Sequence, residues 1–370
     1  MRDVLDELYA WWQAGETVGV ATVVGTWRSA PRPAGAALLV GPDGSVVGSV
    51  SGGCVEGATV EIATSVRGSG EPRLQHYGVS DDEAYAVGLT CGGEIELFVE
   101  PVDRSTFAEL SRVVDAVRDG RPVAVATVLS GPAAGRHLVV LPDAVHGTLG
   151  STRLDDAVHD DATGLLAQGS SAVLHYGADG ERRRDDIAVF VNSVAPRPRL
   201  IIFGAIDFAA AVARIGAFLG YRVTVCDGRA TFATTARFPD ADEVVVEWPH
   251  RYLAATPVGT DTVVCVLTHD PKFDVPLLEV ALRMPLAYVG AMGSRRTHDD
   301  RTAQLRARGL TRAELEHLHA PIGLDIGSRT PAETAISIAA EIIAQRWGGT
   351  GAPLRHIAGP IHHDKADSSG

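Results

Sequence analysis

Apolar residues at the start of the chain fall on one helical face. Val4, Leu5, Leu8, Tyr9 and Trp12 recur at helical spacing and predict a short opening helix. The period then shortens. Residues 18–26, 35–41 and 45–50 read as strands, and Gly41-Pro42-Asp43-Gly44 turns the last two into a hairpin. Val55, Ala58, Thr59, Ile62, Ala63 and Val66 restore the helical period, which predicts a helix directly after Cys54. Strands at 73–78 and 94–100 complete the segment.

The same order then returns. Val18-Gly19-Val20-Ala21-Thr22-Val23-Val24 reappears as Val123-Ala124-Val125-Ala126-Thr127-Val128-Leu129. From Gly48 the offset is 99 positions, giving Gly147 for Gly48 and His175-Tyr176-Gly177 for His76-Tyr77-Gly78. Ile95-Glu96-Leu97-Phe98-Val99 recurs as Ile187-Ala188-Val189-Phe190-Val191. A duplicated unit shares its packing needs, so what one copy drops is a candidate for function. Copy two shortens Trp27-Arg28-Ser29-Ala30-Pro31-Arg32-Pro33, replaces Ser51-Gly52-Gly53-Cys54-Val55-Glu56-Gly57, and deletes Gly88-Leu89-Thr90-Cys91-Gly92-Gly93. Loop drift is the alternative. The joint loss of both thiols favours a site in copy one.

Ala195-Pro196-Arg197-Pro198-Arg199 breaks the pattern as a domain connector would. Beyond it, strands at 200–203, 222–226, 243–247, 262–267 and 286–289 alternate with helices at 208–219 and 275–283. That alternation predicts a doubly wound parallel sheet. Thr330, Pro331 and Glu333 carry the N-cap, N1 and N3 signature of a last helix. The expected fold class is α/β. An N-terminal α+β domain over 1–194 is built from two copies of one unit, 18–100 and 121–193. A Rossmann-like domain follows over 199–347, then an extended tail over 348–370.

Composition narrows the function classes. With 45% apolar and 21% charged residues, the chain of 370 residues is ordinary globular material. A net charge of -13 without a basic run argues against nucleic acid and anionic membrane as partners. The acidic, amphipathic N-terminus is no signal peptide and no apolar run spans a bilayer. Four scattered cysteines read as reduced thiols, which points to the cytoplasm.

Cys54, after Gly52-Gly53 and before a helix, faces amide groups and a dipole that favour the thiolate and can cradle an oxyanion. Ser51 belongs to the same loop. Glu56 in the first turn reads equally well as dipole compensation. Cys91, beside Gly92, is the second candidate thiol. Each thiol reads as a metal or sulfur contact or as plain small-residue packing, and Cys226 and Cys265 read as core. Arg28 and Arg32 suit phosphate recognition or are solvated loop arginines. Gly204-Ala205-Ile206-Asp207 stands where a dinucleotide loop belongs, and Asp227 lies 23 residues on, where a ribose-binding acid would be. Ile206 replaces the central glycine, and Asp207 is expected to cap the helix and repel phosphate, so NAD(P) is disfavoured. His269 and Asp270 follow the fourth strand, while Gly293, Ser294 and Arg295 offer a second anion site after the fifth. His269 serves equally as a structural residue. His362-His363-Asp364 reads as a solvated end rather than a chelating site.

These segments resemble the XdhC/CoxI family of molybdoenzyme maturation factors. The resemblance is carried by Gly48 to Gly57, Gly88 to Gly93, Leu267-Thr268-His269-Asp270, Gly290 to Thr297, and Pro321-Ile322-Gly323-Leu324-Asp325-Ile326-Gly327. It implies a non-catalytic carrier of molybdenum cofactor that protects it and inserts it into an apo xanthine dehydrogenase-type molybdenum hydroxylase. A cysteine desulfurase and a second copy of the chain, as a homodimer, are further candidate partners. The family loop reads Gly-Ala-Gly-His-Val, so Gly204-Ala205-Ile206-Asp207-Phe208 departs from it, losing both the second glycine and the histidine. The rival readings are an NAD(P)-dependent oxidoreductase and a cofactor-free docking scaffold.

Overall fold

The computed structural model describes residues 1–27, 32–78, 93–182, 184–268 and 270–358. Arg28, Cys91, Gly92, His269 and His362-His363-Asp364 lie outside the described residues. The chain divides into two compact units, Met1–Pro196 and Arg197–Gly370.

The first unit opens with α1 (Leu5–Ala14), followed by β1 (Val18–Trp27), β2 (Ala37–Val40), β3 (Val46–Gly48), α2 (Glu56–Ser69), β4 (Arg73–Tyr77) and β5 (Glu94–Val102). After α3 (Leu110–Arg118), which the sequence pattern did not single out, come β6 (Val123–Val128), β7 (His137–Leu141), β8 (Ala144–Gly147), α4 (Thr152–Gln168), β9 (Ala172–Tyr176) and β10 (Ile187–Val194). The two antiparallel sheets have matching orders, β3-β2-β1-β5-β4 and β8-β7-β6-β10-β9. Alternation along the strands divides the faces. Ala21 and Val23 pack under α2, as Ala124 and Ala126 pack under α4. Val18, Val20, Val123 and Val125 turn the other way into one core that both copies share.

Gly48 and Gly147 repeat a backbone requirement. Their φ angles are 86° and 88°, and an added Cβ would lie 2.3 Å and 2.4 Å from the carbonyl oxygens of Ala37 and His137. Between the sheets, Glu100 of copy one and His137 of copy two are both buried. Their Oε2 and Nε2 atoms are 3.1 Å apart. The His137 ring stacks on Phe107 with centroids 3.9 Å apart, and Thr127 Oγ1 lies 3.1 Å from Nδ1.

The second unit runs β11 (Arg199–Phe203), α5 (Asp207–Phe218), β12 (Arg222–Cys226), β13 (Glu243–Val245), α6 (Pro249–Ala255), β14 (Val263–Val266), α7 (Pro271–Ala281), β15 (Tyr288–Ala291), α8 (Arg295–Ala307), α9 (Arg312–Glu316), β16 (Leu318–His319) and α10 (Pro331–Trp347). The sheet is parallel in the order β13-β12-β11-β14-β15-β16, with apolar clusters on both faces. This is the doubly wound Rossmann order, with its switch point between β11 and β14. Differences from the sequence pattern are local. β15 starts two residues later than the apolar run, and α7 starts at Pro271, capped by Asp270, whose side chain accepts from Lys272 N at 3.0 Å. Thr330 and Glu333 form a complete capping box on α10.

Candidate functional site

The loop before α2 is where the two copies part. In copy two, Ser151 caps α4 by accepting from Leu154 N, and the helix begins at Thr152. The position equivalent to Thr152 in copy one is Gly53, yet α2 does not begin until Glu56. Gly52 and Gly53 have φ of 74° and 122°, a region that side chains with a Cβ rarely adopt, so the first turn is unwound. The helix therefore does not follow Cys54 directly: Val55 intervenes as the N-cap residue. Cys54 lies on the unwound turn as a half-buried free thiol. Among the described residues nothing stands within 4 Å of where a Cβ on Gly53 would be.

Glu56 folds back over this loop. Its carboxylate accepts from Ser49 Oγ at 2.7 Å, Ser51 N at 2.9 Å, Gly53 N at 2.8 Å and the Ser51 hydroxyl. Burial alone would raise its pKa, but the hydrogen bonds from Ser51, Ser49 and Gly53 outweigh it and hold the group at about 2. Gly52 N donates to Ser49 Oγ at 3.0 Å and Val55 N to Ser51 Oγ at 2.9 Å. The loop amides expected to cradle an external anion thus already hold an internal one. A phosphate at the same amides would have to displace a carboxylate. Asp155 plays the same part in copy two, accepting from Thr148 Oγ1 and Leu149 N at 2.7 Å each. A device present in both copies belongs to the fold. The glycine pair and the thiol belong to copy one alone.

Arg32 is engaged elsewhere, with its Nη2 3.3 Å from Asp3 Oδ2. Among the described residues no group of three or more His, Cys, Asp or Glu could hold a metal ion. With its amides held by Glu56, the loop does not fit a phosphate cradle. Cys226 and Cys265 are buried, and burial pushes both thiols up to about 12.

In the second unit the dinucleotide loop is filled by the protein itself. Gly204 has φ of 111°, and a Cβ there would come within 2.8–3.1 Å of Thr268 and Leu267 at the neighbouring strand end. Its role is close packing across the switch point. Ala205 N, an amide placed to meet pyrophosphate, donates to Asp227 Oδ2 at 2.8 Å. Arg229 covers the rest of that carboxylate, Nε to Oδ1 at 2.9 Å and Nη2 to Oδ2 at 2.7 Å. Burial opposes ionisation of Asp227, yet these bonds lower its pKa. Asp207 does not cap α5 as expected. Ile206 is the N-cap residue, and Asp207 pairs with Arg237 Nη2 at 3.2 Å.

Gly293 and Ser294 lead into α8, where Ser294 Oγ accepts from Thr297 N at 3.1 Å and Arg295 is the first helical residue. Six residues further along, Arg301 is buried against Asp274 of α7, Nη2 to Oδ2 at 2.7 Å. The sequence pattern did not reveal this pair. Its signal was an arginine on the same helical stripe as Leu305, one turn away.

Known proteins share this architecture. The description "XdhC and CoxI family" matches residues 11–78 and 116–177, one stretch in each copy, and "XdhC Rossmann domain" matches 200–342. The chain belongs to the XdhC/CoxI family. It is 28% identical over 334 residues to a probable xanthine dehydrogenase subunit of Bacillus subtilis, covering 90% of this chain and 94% of that one. It is also 28% identical over 333 residues to "Molybdenum cofactor insertion chaperone PaoD" of Escherichia coli, covering 90% and 85%. Among solved structures, one described as a xanthine dehydrogenase from Bacillus halodurans aligns with a TM-score of 0.73 at 28% identity, over 92% of this chain and 95% of that one. At the equivalent of the nucleotide-like loop, Ala205 N is occupied by Asp227, which Arg229 pairs with. Among the described residues no helix is long and apolar enough to cross a membrane.

Proposed function

We propose that this protein is a non-catalytic carrier that takes up molybdenum cofactor, shields it, and hands it to an apo molybdenum hydroxylase of the xanthine dehydrogenase type. The observation that carries the reading is the unwound first turn of α2, which presents Cys54 in copy one and is wound into helix in copy two. A single accessible thiol can meet the metal or sulfur of a cargo without supplying a full ligand set. The name of the Escherichia coli relative supports insertion as the task. We place the protein in the cytoplasm, with a cysteine desulfurase as the source of cofactor sulfur and a homodimer as the working form. The internally filled loop at Gly204 counts against the rival NAD(P)-dependent oxidoreductase.

The test is metal and pterin content after purification from a molybdenum-replete host. Wild-type protein should carry molybdenum and oxidisable pterin. Cys54→Ala should lose most of both, while Arg153→Ala, at the equivalent position of copy two, should keep them. Wild-type protein that is empty and also fails to take up free cofactor would sink the carrier reading.

A further inference from the structure

The last helix is apolar on two sides, and the second unit buries only one of them. Ala335, Ile338 and Ile342 of α10 enter its core. Ile336, Ala340, Ile343 and Trp347 follow the spacing i, i+4, i+7 and i+11, which places them in a separate stripe along one narrow arc of the helix. Ile336, Ile343 and Trp347 are 53%, 42% and 41% exposed. Single exposed apolar residues are ordinary, but a row of them at the spacing of a helix–helix seam is not. A helix that is apolar beyond its core face calls for a second cover.

The charges on α10 say what that cover is. Glu333 stands in the first turn and Arg346 in the last. Glu341 is the one charged residue between them, and it turns away from the stripe. Its carboxylate accepts from Gly323 N at 2.7 Å and from the Tyr288 hydroxyl. The stripe is therefore neutral along its length, acidic at one end and basic at the other. A second α10 laid antiparallel matches all three regions at once. It brings Glu333 towards the partner's Arg346, opposes the two helix dipoles and sets apolar side chains against apolar side chains.

We propose that this stripe is the contact between two copies of the chain, an antiparallel α10 pair across a two-fold axis. The axis falls between Ala340 and Ile343, so each of these meets the other on the partner helix. Such a contact is isologous, as in the commonest dimers. The proposal rests on the homodimer of the carrier reading, for which it names the surface, and on no property of the cofactor.

Sedimentation equilibrium of the full chain tests the assignment. Wild-type protein should dimerise with a Kd in roughly the micromolar range, as a short seam allows. Ile343→Glu, at an exposed position, brings two carboxylates to the axis and should weaken the dimer about a hundredfold or more. Mixing Ile343→Glu with Ile343→Lys should restore it, because opposite charges then meet across the axis. Phe218→Glu, at an exposed apolar residue of α5, should stay dimeric. A dimer that survives Ile343→Glu, or one broken by Phe218→Glu instead, overturns the seam and leaves the homodimer standing. A wild-type monomer overturns both. A monomer that pairs only once residues 359–370 are removed gives the stripe to the tail, and one that binds an apo hydroxylase through Ile343 gives it to the client; either result overturns the proposal. Molybdenum content separates the two readings. An Ile343→Glu monomer that stays fully loaded keeps the seam but removes the dimer as the carrier's working form, while a dimer that never carries cofactor keeps the seam and sinks the carrier.

Discussion

Copy one and copy two of the N-terminal unit make a controlled comparison within a single chain. Their sheets have the same strand order, and each fixes the turn after its short third strand with a positive-φ glycine. Each pins the loop before its helix with a carboxylate, Glu56 or Asp155. Against that shared frame one difference stands out. Gly52 and Gly53 unwind a turn that Ser151 and Thr152 keep helical, and a free thiol sits on the result. Glu56 would pass for a functional acid if copy one were read alone. Its counterpart assigns it to the fold.

The glycine pair offers the hardest test of equivalence. Gly48→Ala and Gly147→Ala both push a Cβ into a backbone carbonyl, so each should cost about 3 kcal/mol or more in denaturant unfolding. A large cost at one position and a negligible one at the other would break the comparison. The carboxylates come next. Glu56→Ala should lose about 2–3 kcal/mol and Asp155→Ala about 1–2 kcal/mol, after discounting charge-assisted bonds for partial exposure. A neutral Glu56→Ala would show that its hydrogen bonds do no structural work.

The smallest effect is in acid. Glu56 titrates at about 2 in the folded chain against an ordinary value of 4.5. A depressed folded-state pKa gives stability that is full above about pH 4.5 and lost as pH falls through about 2. Glu56→Gln should flatten that part of the stability–pH curve, and an unchanged acid slope would remove the group from the account.

Much of this frame was legible in the sequence. The repeat, the hairpin at Gly41-Pro42-Asp43-Gly44, the change of period at Leu200 and the capping box at Thr330 are all local patterns, and local patterns carry secondary structure. The apolar face from Val55 to Val66 was also visible. What stopped its helix short was not, because glycines permit a left-handed backbone without requiring it. Asp227 was placed at a strand end as expected, but its capture by Ala205 N and Arg229 is a tertiary event that no spacing announces. Asp274 and Arg301 were hidden for the opposite reason. Charged residues read as solvent-facing until a partner across the interior accounts for them.

The contact between Glu100 and His137 bears on why the half without the thiol persists. One side chain comes from each copy, and both are nearly sealed from water. Deleting copy two would leave a carboxylate stranded on an apolar face together with Val18, Val20 and their neighbours. The inner face of copy two is therefore what keeps water from that carboxylate, a task that does not depend on what its outer loops carry.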